Sequence, residues 1–201
     1  MGIYGWFAMS NFKTSLPLLV FLALAPLAGC LSGSNHALLL DPSEPVALVG
    51  ERKTLSVTSL EDLAGEPEWE VEETYGGGFL NSRGSRVTYI APTTAGRFHL
   101  VIRAVRADGV RLRTVEEIRV LPILGIEPAS RRVNPGGSLV LAAKAKGGSL
   151  GTVRWTVEEP NGGTILPDGR YTAPPHPGVF HVTASLVDMP EVAARAEIRV
   201  E

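Results

Sequence analysis

Gly178-Val179-Phe180-His181-Val182-Thr183-Ala184-Ser185-Leu186 decides the fold class. Its apolar and polar residues alternate with a period of two. Phe180, Val182, Ala184 and Leu186 therefore share one face, and His181, Thr183 and Ser185 point the other way. That is the pattern of a strand with one face buried. The segment also has a partner earlier in the chain. Gly96-Arg97-Phe98-His99 matches Gly178-Val179-Phe180-His181, and Phe98, Leu100, Ile102 and Ala104 alternate in the same way against His99 and Arg103.

Working outward, the match widens into an internal repeat. Leu40-Asp41-Pro42 returns as Ile126-Glu127-Pro128 and Gly50 as Gly136. Trp69-Glu70-Val71-Glu72-Glu73 returns as Trp155-Thr156-Val157-Glu158-Glu159, and Gly76-Gly77 as Gly162-Gly163, all at an offset of 86. Tyr89-Ile90-Ala91-Pro92 returns as Tyr171-Thr172-Ala173-Pro174 at an offset of 82, and Glu117-Ile118-Arg119-Val120 as Glu197-Ile198-Arg199-Val200 at 80. The falling offset places deletions in loops of the second copy, where they are tolerated. The boundaries expected are residues 38–121 for the first domain and 122–201 for the second. Leu121-Pro122-Ile123 is the joint, short and proline-stiffened, so a semi-rigid rod is expected.

The last strand keeps the alternation, with Ala194, Ala196, Ile198 and Val200 inward and Arg195, Glu197 and Arg199 outward. Ala107-Asp108-Gly109 reads as a hairpin turn. No stretch after residue 37 sustains a helical period. The 22 glycines and 15 prolines suit many short strands joined by turns. About seven strands per copy, with an inward Trp early in each, read as a β-sandwich. Copy two carries Trp155-Thr156-Val157, Gly163-Thr164-Ile165, Gly169-Arg170-Tyr171-Thr172-Ala173-Pro174 and Gly178. In these motifs the chain resembles the bacterial Ig-like domains of surface and secreted proteins. Copy one departs, with Arg86-Val87-Thr88-Tyr89-Ile90-Ala91-Pro92 and an insertion before it. The resemblance implies an all-β chain of two tandem immunoglobulin-like sandwiches. It is specific for fold and weak for function.

The start of the chain has a different character. Residues 16–29, Leu-Pro-Leu-Leu-Val-Phe-Leu-Ala-Leu-Ala-Pro-Leu-Ala-Gly, are too short and too interrupted by Pro17 and Pro26 for a good membrane span. They have the length of a signal-peptide core. Met1 gives an unusual start, and Met9, followed by Lys13, a more usual one. Leu27-Ala28-Gly29-Cys30 resembles the lipobox of bacterial lipoproteins. That resemblance implies a leader over 1–29, cleavage before Cys30 and lipid attachment to the Cys30 thiol. Residues 30–37 then form the lipidated cysteine and a flexible spacer. Leu31, where an Asp often signals inner-membrane retention, leans toward the outer membrane of a bacterial envelope.

Several chemistries find no support. A net charge of −2 gives no field for nucleic acid. The lone Cys30 cannot form an internal disulfide or a multi-cysteine metal site. No Gly-x-Ser-x-Gly elbow, phosphate loop or calcium loop is present, and Asp108-Gly109 and Asp168-Gly169 read as turns. His36, His99, His176 and His181 complete no ligand set, and His99 and His181 read as exposed strand residues. The expectation is a chain with no enzyme activity, cofactor or metal.

Charge placement gives the one candidate surface. Glu68, Glu70 and Glu72 face out from the Trp69 strand, and Arg103, Arg111, Arg113 and Arg119 from the last two strands. Two readings follow. One is a ladder of cross-strand ion pairs. The other is a basic strip of Arg103, Arg111 and Arg113 that holds an anionic partner, a lipid headgroup or an acidic glycan. The functional expectation is a lipid-anchored envelope protein that contacts other envelope or surface proteins. The alternative is a carbohydrate-binding adhesin, for which Tyr75 and His176 are the loop candidates.

Overall fold

The computed structural model describes residues 37–201, and every regular element among them is a strand. The expected leader, Cys30 and the spacer as far as His36 lie outside the described residues. Ala37, counted with the spacer above, is already part of the fold: its carbonyl accepts the Leu60 N–H at 2.9 Å.

The first repeat contains β1 (Leu38–Asp41), β2 (Val46–Leu48), β3 (Arg52–Ser59), β4 (Glu68–Val71), β5 (Gly78–Phe79), β6 (Arg86–Ile90), β7 (Gly96–Val105) and β8 (Arg111–Leu121). Two four-stranded sheets result, in the orders β1-β3-β6-β5 and β2-β8-β7-β4. The second repeat contains β9 (Ile123–Glu127), β10 (Ser130–Val133), β11 (Ser138–Val140), β12 (Ala142–Lys146), β13 (Val153–Val157), β14 (Thr164–Ile165), β15 (Arg170–Thr172), β16 (Gly178–Leu186) and β17 (Ala193–Val200). Its larger sheet runs β10-β17-β16-β13. The strands facing that sheet are paired as β11-β15-β14 and β12-β9. The counterpart of β3 is thus interrupted at Leu141, which is fully buried and whose N–H bonds to the Gly169 carbonyl instead.

Burial follows the period of two. Phe180, Val182, Ala184 and Leu186 are buried, and the residues between them are not. The buried side chains fall into two clusters. One includes Leu55, Trp69, Tyr89, Leu100, Ile102 and Ile118, and the other Leu141, Tyr171, Val182, Ala184 and Ile198. Trp69 packs on Phe79 with ring centroids 5.8 Å apart, and Phe79 in turn on Tyr89. These rings fill the space between the sheets that a disulfide spans in other sandwiches.

Only Pro122 separates β8 from β9. Leu121 closes the first repeat in sequence, yet its side chain packs in the second cluster, and Val46 leans on that cluster as well. Gly147 is seated in the joint. Its carbonyl accepts the Ala95 N–H at 2.6 Å, and a Cβ on it would lie 2.5 Å from the Val49 Cγ1 and 2.8 Å from the Thr93 carbonyl. Arg119 reaches across to Glu191 at 3.2 Å. Ala37 and Leu60 lie at the opposite end of the first repeat, because β3 runs from the joint side at Arg52, opposite Ile90, to Ser59, opposite Leu38.

Candidate binding surfaces

The outer face of the sheet β2-β8-β7-β4 brings the charged strip together. In the β4–β7–β8 register Glu68 stands opposite Arg103, and Arg103 opposite Arg113. Arg103 forms an ion pair with Glu70, Arg113 with Glu72 at 3.7 Å, and Arg83 with Glu68 at 2.6 Å. The ladder reading therefore accounts for Arg103 and Arg113. Each pair is well exposed and contributes roughly 0.2–1 kcal/mol. Arg111 has no ion pair among the described residues. Arg103, Arg111 and Arg113 together line a shallow groove of about 750 Å³ with Ala64, Gly65 and Glu66. Arg119, expected in the same strip, is instead engaged at the joint.

His99 and His181, expected to be exposed strand residues, lie on β7 and β16, are partly buried, and each bonds a glutamate. The His99 backbone N–H donates to the Glu73 Oε2 at 2.8 Å, and its ring Nδ1 bonds the Oε1 at 2.6 Å. His181 and Glu159 reproduce both distances in the second repeat. Beside each pair a buried tyrosine closes the same turn: the Tyr89 hydroxyl donates to the Gly76 carbonyl, and the Tyr171 hydroxyl to the Gly162 carbonyl at 2.5 Å. Gly77 and Gly163 make this close approach feasible. Both have φ of 95°, and a Cβ on Gly163 would lie 2.2 Å from the Thr172 carbonyl. Burial, with the Glu73 charge adding, pushes the Tyr89 hydroxyl up to about 12, so it remains a donor at any physiological pH.

These pairs couple the first repeat to pH. The ring bond to Glu73 holds the His99 imidazole above its ordinary 6.5. Burial pushes the Glu73 carboxyl up, but the bonds from the His99 backbone and ring outweigh it and leave the group below 4.5. The His99 contribution is complete below pH 6.5 and is lost as pH rises through its folded value. The Glu73 contribution is present above pH 4.5 and is lost as pH falls through its folded value. The pair thus stabilises most between pH 4.5 and 6.5. An NMR titration of His99 is expected to give a midpoint above 6.5 that falls in Glu73→Gln. A midpoint unmoved by that substitution would assign the shift elsewhere.

Ligand atoms of Glu158, Glu159 and His181 lie within 4.8 Å of one another, the spacing a cation could use. Their oxygens are already engaged. The Arg195 guanidinium holds both Glu158 oxygens at 2.8–3.1 Å with Thr183 adding a bond at 2.6 Å, and His181 holds both Glu159 oxygens. A cation would have to displace the guanidinium, so this cluster fits an ion-pair network better than a metal centre. The aspartates of the two Asp-Gly turns likewise serve their own backbones. Asp108 accepts the Val110 N–H at 3.1 Å, and Asp168 the Arg170 N–H at 3.0 Å. The His176 ring packs tilted against Phe180, with ring centroids 5.7 Å apart, beside a shallow depression formed with Asn161, Thr164 and Pro174. Tyr75 is 87% exposed next to the Gly76 turn.

Comparison with solved structures fits this architecture. A C-terminal 282-residue fragment of intimin, solved with the intimin-binding domain of the translocated intimin receptor, matches 81% of this chain with a TM-score of 0.55 and 16% identity. The fold is the tandem immunoglobulin-like sandwich. The chain spans 62% of that fragment's length. Invasin, a bacterial integrin-binding protein, matches 82% of this chain and 38% of its own at 13% identity, with a TM-score of 0.43. No family model and no curated protein matches the chain. The immunoglobulin-like repeats are therefore established by strand order, core and the intimin likeness, and the partner they face has to be argued from their surfaces.

Proposed function

We propose that this chain is a non-catalytic, lipid-anchored bacterial envelope protein whose two immunoglobulin-like repeats make protein–protein contacts. The observation that carries this reading is the placement of the repeats. The described chain begins at Ala37, at the end of the first repeat opposite the Gly147 joint. A lipid on Cys30 would hold the first repeat by the bilayer and let the joint carry the second away from it. The spacer reaches at most about 20–25 Å, so the height of the second repeat would depend on the joint. Leu31 favours the outer membrane. The intimin fragment was solved bound to a protein receptor domain, and that is a property of intimin; it supports protein contact here as a reading of the same fold.

Tyr75 favours a second reading, a carbohydrate-binding adhesin, because an aromatic ring 87% exposed on a loop is a surface on which a sugar can stack. Photo-crosslinking from the second repeat in intact cells, run beside a glycan array on the same chain, separates the two. Defined protein crosslinks with a blank array are expected. Saturable glycan binding abolished by Tyr75→Ala, without protein crosslinks, would overturn the first reading in favour of the second.

A further inference from the structure

The deletion in the second repeat uncovers a sheet edge that the first repeat covers. β4 and β13 occupy equivalent edges of their sheets. In the first repeat residues 81–87 stand where the second has only 167–169. The ends of the two loops correspond, with the Leu80 N–H on the Thr88 carbonyl and the Leu166 N–H on the Arg170 carbonyl, both at 3.0 Å. The longer loop folds back along β4. The Trp69 N–H donates to the Ser82 carbonyl and the Gly84 N–H to the Pro67 carbonyl, and Glu68 and Arg83 form an antiparallel bridge. The Trp69 indole N–H donates to the Gly84 carbonyl at 2.9 Å, and the Arg83 Nη2 lies 2.6 Å from the Glu68 Oε1.

Nothing equivalent covers β13 among the described residues. The Trp155 amide points to the same free edge as that of Trp69, as the matched Glu72–His99 and Glu158–His181 backbone bonds require. Neither the Trp155 amide nor its indole N–H has a hydrogen-bond partner among the described residues. Trp69 is 4% exposed, whereas Trp155 is only half-buried. The charge at the edge is also reversed: Arg154 occupies the position of Glu68, is exposed, and has no ion pair among the described residues.

We propose that the open edge of β13 binds an extended segment of a partner protein, added as a strand, with an acidic residue opposite Arg154 followed by glycine. The covering loop of the first repeat is the template for this. It shows two backbone carbonyls meeting the amide and the indole, and a side chain opposite in charge to the edge residue. Gly84 has φ of 113°, which only glycine adopts readily, and its carbonyl is the one that meets the indole. An unpaired edge offers the backbone bonds, and the charge selects the partner. This inference rests on the reading that the repeats make protein contacts.

The probe is the segment Leu80–Arg86 as a free peptide, native and with Arg83→Glu, titrated to millimolar concentration into the full chain purified in detergent. Heteronuclear NMR is expected to show the Arg83→Glu peptide shifting the Trp155 amide and indole signals while leaving Trp69 unmoved. The native peptide should bind about fivefold more weakly, the scale of one exposed ion pair, and Arg154→Glu should invert the order. No shift at Trp155, or equal binding of both peptides, would overturn the proposal. Trp155 shifts that grow with protein concentration alone would overturn it in favour of a second copy at this edge. A blank titration with cell crosslinks that persist in Arg154→Glu would refute the edge and spare the protein-contact reading; absence of every protein crosslink in the wild-type chain would refute both.

Discussion

In Gly147→Val the two repeats are expected to lose their fixed relation while each remains folded. Gly147 has φ of 85°, a conformation that a β-branched residue resists. Its added Cβ would stand 2.5 Å from the Val49 Cγ1, 2.8 Å from the Val49 Cγ2 and 2.8 Å from the Thr93 carbonyl. Overpacking of this kind costs about 1–3 kcal/mol, and backbone strain adds to it. Against that the joint has the packing of Leu121 and Val46 in the second cluster, the Ala95–Gly147 hydrogen bond and the exposed pair Arg119–Glu191. The added strain falls on the joint and not on either core. Small-angle scattering should show a broadened distance distribution, and residual dipolar couplings should cease to fit a single alignment for both repeats. Amide protection in the two cores should persist. Couplings that still fit one rigid body would show that the joint is held by something other than the Gly147 seat. Glu191→Ala, which removes only the exposed ion pair, should leave the couplings nearly unchanged.

Under the proposed anchoring, the joint would set how far the second repeat can stand from the lipid. A hinge at Pro122 would leave the second repeat free to reorient, whereas the contacts of Gly147 with Val49, Thr93 and Ala95 restrain it. Pro122 alone, the stiffening feature visible in the sequence, restricts one φ angle. The seat itself involves Val49, Thr93 and Ala95, residues far from Gly147 in sequence, and no local pattern announces it.

The same distinction separates what was legible in the sequence from what was not. The sandwich was legible because burial imposes a period of two, which Phe180 to Leu186 and Ala194 to Val200 display directly. The repeat was legible because both copies keep the Trp, the Gly-Gly turn, the Tyr and the His. The partnership among those residues was not. Glu73 and His99 are 26 positions apart, and only the β4–β7 pairing brings the carboxylate to the His99 amide. One signal did exist: Glu73, Gly76, Tyr89 and His99 recur together as Glu159, Gly162, Tyr171 and His181. Residues retained as a set across two copies are a stronger sign of contact than any of them alone.

The charged strip was half legible. Alternation placed Glu68, Glu70, Arg103 and Arg113 on one outer face, and their pairing follows from neighbouring strands. Arg119 escaped because its partner, Glu191, belongs to the other repeat. The loop deletion lies in a loop, where the falling offset placed it, and the fold adds its consequence. Read from sequence, a shorter loop is a tolerated change. In the fold, the residues that the second repeat lacks are those that cover Trp69 and the β4 edge in the first, so the outer edge of β13 and the Trp155 amide and indole N–H have no partner among the described residues.

The central claim is the proposal that lipid on Cys30 places this chain in the envelope, and Cys30→Ala tests it with the largest effect expected of any single substitution. The thiol is the only acceptor that the lipobox resemblance provides. Each buried CH₂ contributes about 0.8 kcal/mol to anchoring, so a variant without the proposed lipid would lose most of its hold on a membrane. The deciding measurement is metabolic labelling with an alkyne fatty acid, followed by membrane fractionation, on the wild-type chain and on Cys30→Ala. The account predicts labelled, membrane-bound wild type and an unlabelled variant that leaves the membrane fraction while keeping the folded NMR spectrum of both repeats. A Cys30→Ala chain that remains labelled, or unlabelled but fully membrane-bound, would contradict it.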